Sequence, residues 1–201
     1  MTVDIVWKQA NKQLSQDKYL SLLIKRWGKC AIKKTPPELY FKSLVESICS
    51  QQLSIKAAST IFKRLEEKLL NINAKNILTV EEDVLRSCGL SGSKVGYIKD
   101  LASRVDTGKI NLERLDKMND EEVVLYLTQI KGVGPWTCQM LLMFDLGRED
   151  IFPVDDLGIR KAMIKILKKD LDKDELLKFS ERWKPYRTVA SWYLWRSLDN
   201  S

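Results

Sequence analysis

Apolar positions recur along the chain at three- and four-residue spacing. After Leu39, the residues Phe41, Leu44, Val45, Ile48 and Cys49 follow the period of one helical face, and Ala58, Ile61, Phe62, Leu65 and Leu69 repeat it. Strand-type alternation is nearly absent, and no Asn-Gly or Asp-Gly hairpin signal occurs. The helical pattern breaks at Thr35-Pro36-Pro37, Asn71 to Asn76, Gly89 to Gly92, Asp106 to Lys109, Lys131 to Pro135, and Gly147 to Pro153. Helix-start chemistry follows several breaks: Thr79 has Glu82 three residues on, and Asn119 has Glu122. These signals predict an all-α chain of nine or ten short helices joined by short loops, with no low-complexity tract or long linker.

Composition narrows this picture. A chain of 201 residues suits one large domain or two small interlocked ones, enough to bury a core without disulfide or metal staples. No apolar run reaches the ~18 to 20 residues a membrane span needs, and the start MTVDIVWKQANKQ lacks a signal-peptide pattern. The expected location is therefore cytoplasmic or nucleoid-associated, or nuclear in a eukaryote, with no membrane partner. Histidine is absent, which excludes histidine general bases, Ser-His-Asp triads and most zinc enzymes, so acid–base work falls to Asp, Glu, Lys, Tyr or Cys. Cys30, Cys49, Cys88 and Cys138 form no CxxC pair and read as thiols packed like small hydrophobes. The formal charge of +7 suits a polyanionic partner but does not by itself distinguish one.

Two segments carry chemistry. In Leu127-Thr-Gln-Ile-Lys-Gly-Val-Gly-Pro-Trp-Thr-Cys-Gln-Met140, a helix ending near Ile130 meets Gly132-Val133-Gly134, and Pro135 opens a second helix. The N–H groups at such a helix start form a site for a phosphate oxygen, the positioning contact of a helix–hairpin–helix on a DNA backbone. An ordinary helix–turn–helix connection with glycine punctuation reads equally well from G-x-G-P alone. The other segment is Asp150-Ile-Phe-Pro-Val-Asp-Asp-Leu-Gly-Ile-Arg160, where two aspartates open an apolar helical run. Helix capping explains at least one of them.

Taken together, Gly132-Val133-Gly134-Pro135-Trp136 and then twenty residues to Asp156 resemble the signature of the helix-hairpin-helix (HhH-GPD) base-excision DNA glycosylases, closest to the 3-methyladenine DNA glycosylase II branch. The resemblance runs from about Leu39 to Arg196. It includes Ser50-Gln51-Gln52-Leu53-Ser54, Gly89 to Lys94, Ile151 to Gly158, and Arg182 to Arg187. It implies an all-α fold of two helical lobes, about 44–128 and 1–43 plus 129–201, with the helix-hairpin-helix motif at a central cleft. Strand-cleaving relatives carry a lysine where this chain has Trp136, so the implied enzyme is monofunctional, without lyase activity. The four-cysteine cluster of other branches is missing.

The resemblance also assigns roles. Asp156 falls at the catalytic aspartate, with Asp155 as the helix cap. Trp136 and Trp195 fall at the pocket tryptophans, and Met140 and Leu157 stand where tyrosine occurs in relatives. Core packing is the plain alternative for the tryptophans. Gln52 or Leu53 takes the wedge position that fills the gap left by a flipped nucleotide, and Leu90 presses on the opposite strand. Gln52 also reads as an exposed helix-end polar residue, and Leu53 as core. Lys131, Gly132, Val133, Gly134 and Thr137 form the backbone-gripping hairpin. The carbonyls of Thr128, Ile130 and Val133 are the implied ligands of a structural Na+ or K+, with no cofactor required. The expected activity is release of alkylated purines, 3-methyladenine and 7-methylguanine, from double-stranded DNA by a monomer. A same-fold glycosylase for another damaged or mismatched base, and a non-catalytic DNA-binding module, are the competing readings.

Overall fold

The computed structural model describes residues 3–199, in which twelve α-helices and three short 3-10 helices occur and no strand. It divides into two compact units, residues 35–141 and residues 1–34 with 142–201. The lobes expected from sequence are drawn differently at both boundaries. Tyr40 and Phe41 open α3 (Tyr40–Ser50), whose buried face packs with α4 (Ile55–Leu69) and α7 (Gly92–Asp106), and the hairpin is hydrogen-bonded to α7 through Lys131.

In the unit 35–141, α7 is the hub. Val95, Ile98, Leu101 and Ala102 line its buried face, which α3, α5 (Ala74–Thr79) and α6 (Glu82–Ser87) cover. The periodic stretch from Leu39 is this α3, burying Tyr40, Phe41, Leu44, Val45, Ile48 and Cys49. Side-chain caps set the starts of α4 at Ser54, α5 at Asn73 and α7 at Ser91. The Asn119 box holds as expected: its Oδ1 accepts from Glu122 N–H and the Glu122 carboxylate accepts from Asn119 N–H, opening α8 (Asp120–Leu127). Thr79 does not cap. It ends α5, and its hydroxyl donates back to the carbonyls of Lys75 and Asn76, while α6 starts after Glu81 without a side-chain cap. Splitting 74–87 into two six-residue helices raises the helix number above expectation, because so short a helix shows no repeat.

The other unit is built on α12 (Arg187–Arg196), which buries six of its ten residues against α1 (Val3–Leu14), α2 (Ser21–Trp27) and α10 (Leu157–Leu167). Trp7, Ala10, Leu14 and Leu20 share one core with Ile159, Met163, Trp183, Val189 and Leu194, so the segment from Trp7 to Cys30 completes this unit. The Tyr193 hydroxyl ties them down, hydrogen-bonded to Asn11 Oδ1 at 2.9 Å and donating to the Gly28 carbonyl. Helix α11 (Lys173–Ser180) carries a second capping box, from Asp172 and Glu175. Trp183 is fully buried and Trp192 partly so, as a core role requires.

Candidate functional site

The segment before α10 is pinned backbone. Arg187 sets its guanidinium fork on Asp150, Nε to Oδ1 at 2.8 Å and Nη2 to Oδ2 at 2.9 Å, a bidentate charge-assisted pair. Buried Thr188 accepts from Ile151 N–H and donates to the Arg148 carbonyl. Phe152, Pro153 and Val154 are buried, and Asp156 N–H closes a turn on the Pro153 carbonyl. The chain therefore delivers two aspartates to different surroundings. Asp155 points to solvent, 61% exposed, and pairs with Lys173 at 2.8 Å. Asp156 is half-buried and is itself the N-cap of α10, its Oδ1 accepting from Ile159 N–H at 2.8 Å. The expectation that Asp155 caps is corrected: extended backbone at Asp156 places that carboxylate, not its neighbour, over the first turn.

The same Oδ1 accepts from the indole Nε1–H of Trp195 at 2.8 Å. Gly158 makes that approach possible, since a Cβ there would lie 2.9 Å from Asp156 Oδ1 and 2.9 Å from Trp195 Cδ1. Phe144 leans on Trp195 with ring centroids 5.8 Å apart and keeps part of its ring exposed. A held carboxylate beside a partly exposed aromatic pair can stabilise positive charge on a sugar and offer π faces to a cationic base. Leu157 is 71% exposed at the helix start.

The hairpin forms as its glycines require. Gly132 adopts φ +76°, the left-handed region, and a Cβ there would sit inside the Tyr97 ring. Val133 and Ile130 are buried beneath the turn, and Pro135 opens α9 (Pro135–Phe144) at its first position. A Cβ on Gly134 would meet nothing, so this position faces open space. Lys131 is exposed and Thr137 buried. The Asp100 carboxylate accepts from Lys131 N–H at 2.9 Å and from Arg104 Nε at 2.8 Å. Burial works against that charge, but the Lys131 N–H, the Arg104 hydrogen bond and the two nearby cations outweigh it and hold the Asp100 pKa below its ordinary value.

Beyond α3, Gln51 turns extended and Gln52 takes φ +57°, a conformation that costs a non-glycine residue roughly 1–2 kcal/mol. Gln52 and Leu53 are exposed, Leu53 at 41%, which excludes Leu53 from the core. Gln51 Nε2 donates to the Gly132 carbonyl at 2.8 Å and to Thr137 Oγ1 at 3.2 Å. Lys94 Nζ donates at 2.7 Å to each of the Cys49 and Gln51 carbonyls, and burial lowers its pKa. Leu90 does not stand beside this tip as a free side chain. It is 4% exposed, and a strand-pressing role conflicts with that packing.

On α9, Trp136, Met140 and Phe144 fall one helical turn apart and all keep exposed surface, whereas Cys138, Leu141, Leu142 and Met143 are buried. Phe144 belongs to this stripe by its i+4 spacing from Met140, a signal the sequence itself carries. The four thiols are buried; burial pushes the pKa of Cys30 and Cys138 up to about 11 and that of Cys49 to about 12, so these three stay protonated and unreactive. Among the described residues no cluster of three or more Cys, Asp or Glu could hold a metal ion, and no helix is long and apolar enough to cross a membrane.

Comparison with known proteins places this geometry. Residues 45–185 match the model of the HhH-GPD superfamily of base excision DNA repair proteins. The chain is 38% identical over 171 residues to DNA-3-methyladenine glycosylase 1 of Schizosaccharomyces pombe, covering 82% of this chain and 73% of that protein. It is 32% identical over 204 residues to the alkylbase DNA glycosidase-like protein mag2 of the same yeast, covering 98% and 96%. The solved structure of the S. pombe 3-methyladenine DNA glycosylase in complex with abasic DNA superposes with a TM-score of 0.86 at 34% identity, covering 94% of this chain and 96% of that one.

Proposed function

The chain belongs to the HhH-GPD superfamily of base excision DNA repair proteins, and from that membership and the Asp156 site we propose that it is a monofunctional DNA glycosylase releasing alkylated purines, 3-methyladenine and 7-methylguanine, from duplex DNA. The observation that carries the reading is the Asp156 carboxylate, held on one oxygen by the Ile159 N–H and the Trp195 indole. Relatives named for 3-methyladenine release, and a neighbour solved with abasic DNA, support the substrate class.

The chemistry follows from the leaving group. Alkylation at N3 or N7 makes the purine cationic, so the C1′–N bond breaks with its electron pair going to the base, which leaves neutral. Positive charge then develops on the sugar, and the Asp156 carboxylate stabilises it and orients the water that adds to C1′. The water proton passes to the carboxylate or to solvent. Because the base already carries its charge, no strong general acid is needed, in keeping with a chain that has no histidine. Trp195 and Phe144 supply aromatic surface beside the carboxylate, and Leu157 stands exposed at the start of α10; base-contacting roles for Trp136 and Met140 rest on the resemblance.

Binding falls to the hairpin, whose Gly134 face is open to a phosphate, and to Gln52 or Leu53 as the wedge. Trp136 offers no amine to attack C1′, which supports hydrolysis without strand cleavage. The protein works where its DNA is, in a bacterial nucleoid or a eukaryotic nucleus. A monovalent cation on the Thr128, Ile130 and Val133 carbonyls fits this turn: the Ile130 carbonyl already accepts from Val133 N–H, and the turn and cap hydrogen bonds of the described residues use neither of the other two. The ion would brace the hairpin and takes no part in the chemistry. An anomalous signal from a heavier alkali ion soaked into crystals tests it.

Base release from methylated duplex, compared between wild type and Asp156→Asn, tests the reading. Asparagine caps a helix about as well as aspartate, so the variant folds, binds DNA and loses release. Equal release by both proteins moves the chemistry away from Asp156.

A further inference from the structure

The two residues that bond most directly to the Gln52 tip have no role in the chemistry above. Lys94 reaches from the first turn of α7 to the carbonyls of Cys49 and Gln51, at the negative end of the α3 dipole. Gln51 reaches the other way, to the Gly132 carbonyl in the hairpin turn and to the Thr137 hydroxyl at the start of α9. Between them stands Gln52 in its left-handed conformation, with Leu53 N–H closing on the Ser50 carbonyl and Ser54 capping α4. A strained exposed residue persists only where its surroundings over-determine it. Here the carbonyl before it is fixed by an ammonium group, and the side chain before it is fixed by the hairpin.

We infer that Lys94 and Gln51 are positioning residues that hold the Gln52 tip in register with the hairpin, so that wedge and phosphate grip engage DNA as one preassembled piece. The inference rests on the reading of Gln52 or Leu53 as the wedge. A side chain that enters a base stack must arrive at a set distance from the gripped phosphates. A tip already held at that distance avoids the ordering cost that a loose loop meets on binding. The link runs through the carbonyl of Gly132, the residue whose backbone makes the turn, so a shift of the hairpin moves the tip with it.

Lys94→Met removes both donors and keeps the aliphatic stem, Gln51→Leu removes the bridge to the hairpin, and Lys94→Arg restores a cationic donor. Each is measured on duplex carrying 2-aminopurine beside a tetrahydrofuran abasic analogue, where wedge entry raises fluorescence, and on base release from a paired and from a bulged methylated purine. Loss of a hydrogen bond to a charged or buried group predicts about a tenfold fall in release from paired DNA for Lys94→Met and Gln51→Leu, with most of the fluorescence rise gone. On bulged DNA, already unstacked, the deficit shrinks to about twofold, and Lys94→Arg recovers the wild-type pattern. Unchanged fluorescence and unchanged paired release overturn the inference. So does an equal loss on paired and bulged DNA, which marks a role in folding alone. If Lys94→Met fails to fold, Gln51→Leu decides. Wild type that raises fluorescence but releases no base overturns the glycosylase reading and leaves the wedge brace standing.

Discussion

The Trp195 indole donates to Asp156 Oδ1 at 2.8 Å, the same oxygen that accepts from the first turn of α10. One carboxylate oxygen thus serves as helix cap and as acceptor for a side chain 39 positions away. Trp195→Phe keeps an aromatic face and removes only the N–H. A hydrogen bond to a charged group is worth ~1.5–3 kcal/mol, so release should fall about tenfold to hundredfold. Single-turnover release on methylated duplex checks this, with binding to abasic DNA near wild type. A variant with full activity would reduce Trp195 to a wall of the pocket.

Gly158 is the gap through which this pair meets. Adding one methyl group brings a Cβ within 2.9 Å of both partners, so one of them must move. Alanine is also a better helix former than glycine by up to ~1 kcal/mol, which offsets part of the clash in folding. Gly158→Ala should therefore lose release about tenfold or more with little change in melting temperature, since a misplacement of this size costs rate before stability. Thermal melts and release assays on the same preparation separate the two quantities.

The neighbouring aspartate makes the contrasting case. Asp155 is exposed and paired with a surface lysine, a class of contact worth ~0–1 kcal/mol. Asp155→Asn should keep release within about twofold of wild type and a melting temperature within a few degrees. Loss of activity comparable with Asp156→Asn would mean that the second carboxylate takes part.

What was legible in the sequence follows the range of each interaction. The apolar repeat in α3, the Asn119 box and the turn at Gly132 with Pro135 after it are local patterns, and the structure repeats them. The bond between Asp156 and Trp195 and the reach of Lys94 to Cys49 join residues 39 and 45 apart, which no spacing rule records. The choice of cap between Asp155 and Asp156 depends on the backbone turn after Pro153, which adjacent identical residues conceal. Leu90 misled for a related reason, since a leucine in a glycine-rich break looks exposed and here fills the core.

Acid should loosen the hairpin through Asp100. Its folded pKa lies below the ordinary 3.8, so its contribution to stability is full above that value and is lost as pH falls through the folded pKa. Asp100→Asn removes the charge at every pH. The stability gap between wild type and variant, from urea unfolding, should be open at pH 7 and close as the solution is taken into strong acid. A gap that stays constant would trace the effect to shape and hydrogen bonding instead of charge.

The two hairpin glycines should answer differently to the same substitution. Gly132→Ala faces a left-handed backbone and the Tyr97 ring together, so it should destabilise the fold. Adding Tyr97→Ala frees the space but leaves the backbone cost of ~1–2 kcal/mol, so the double variant recovers only in part. Gly134 has neither constraint in the free protein, and Gly134→Ala should melt like wild type. Its methyl group projects into the open space where a phosphate would approach, so affinity for abasic duplex should fall about tenfold. Binding isotherms over a range of salt give the check, and the loss should persist at every salt concentration because no charge has changed. Unaltered binding by Gly134→Ala would remove this face of the turn from the DNA contact and shift the phosphate grip to Lys131 and the α3–α4 tip.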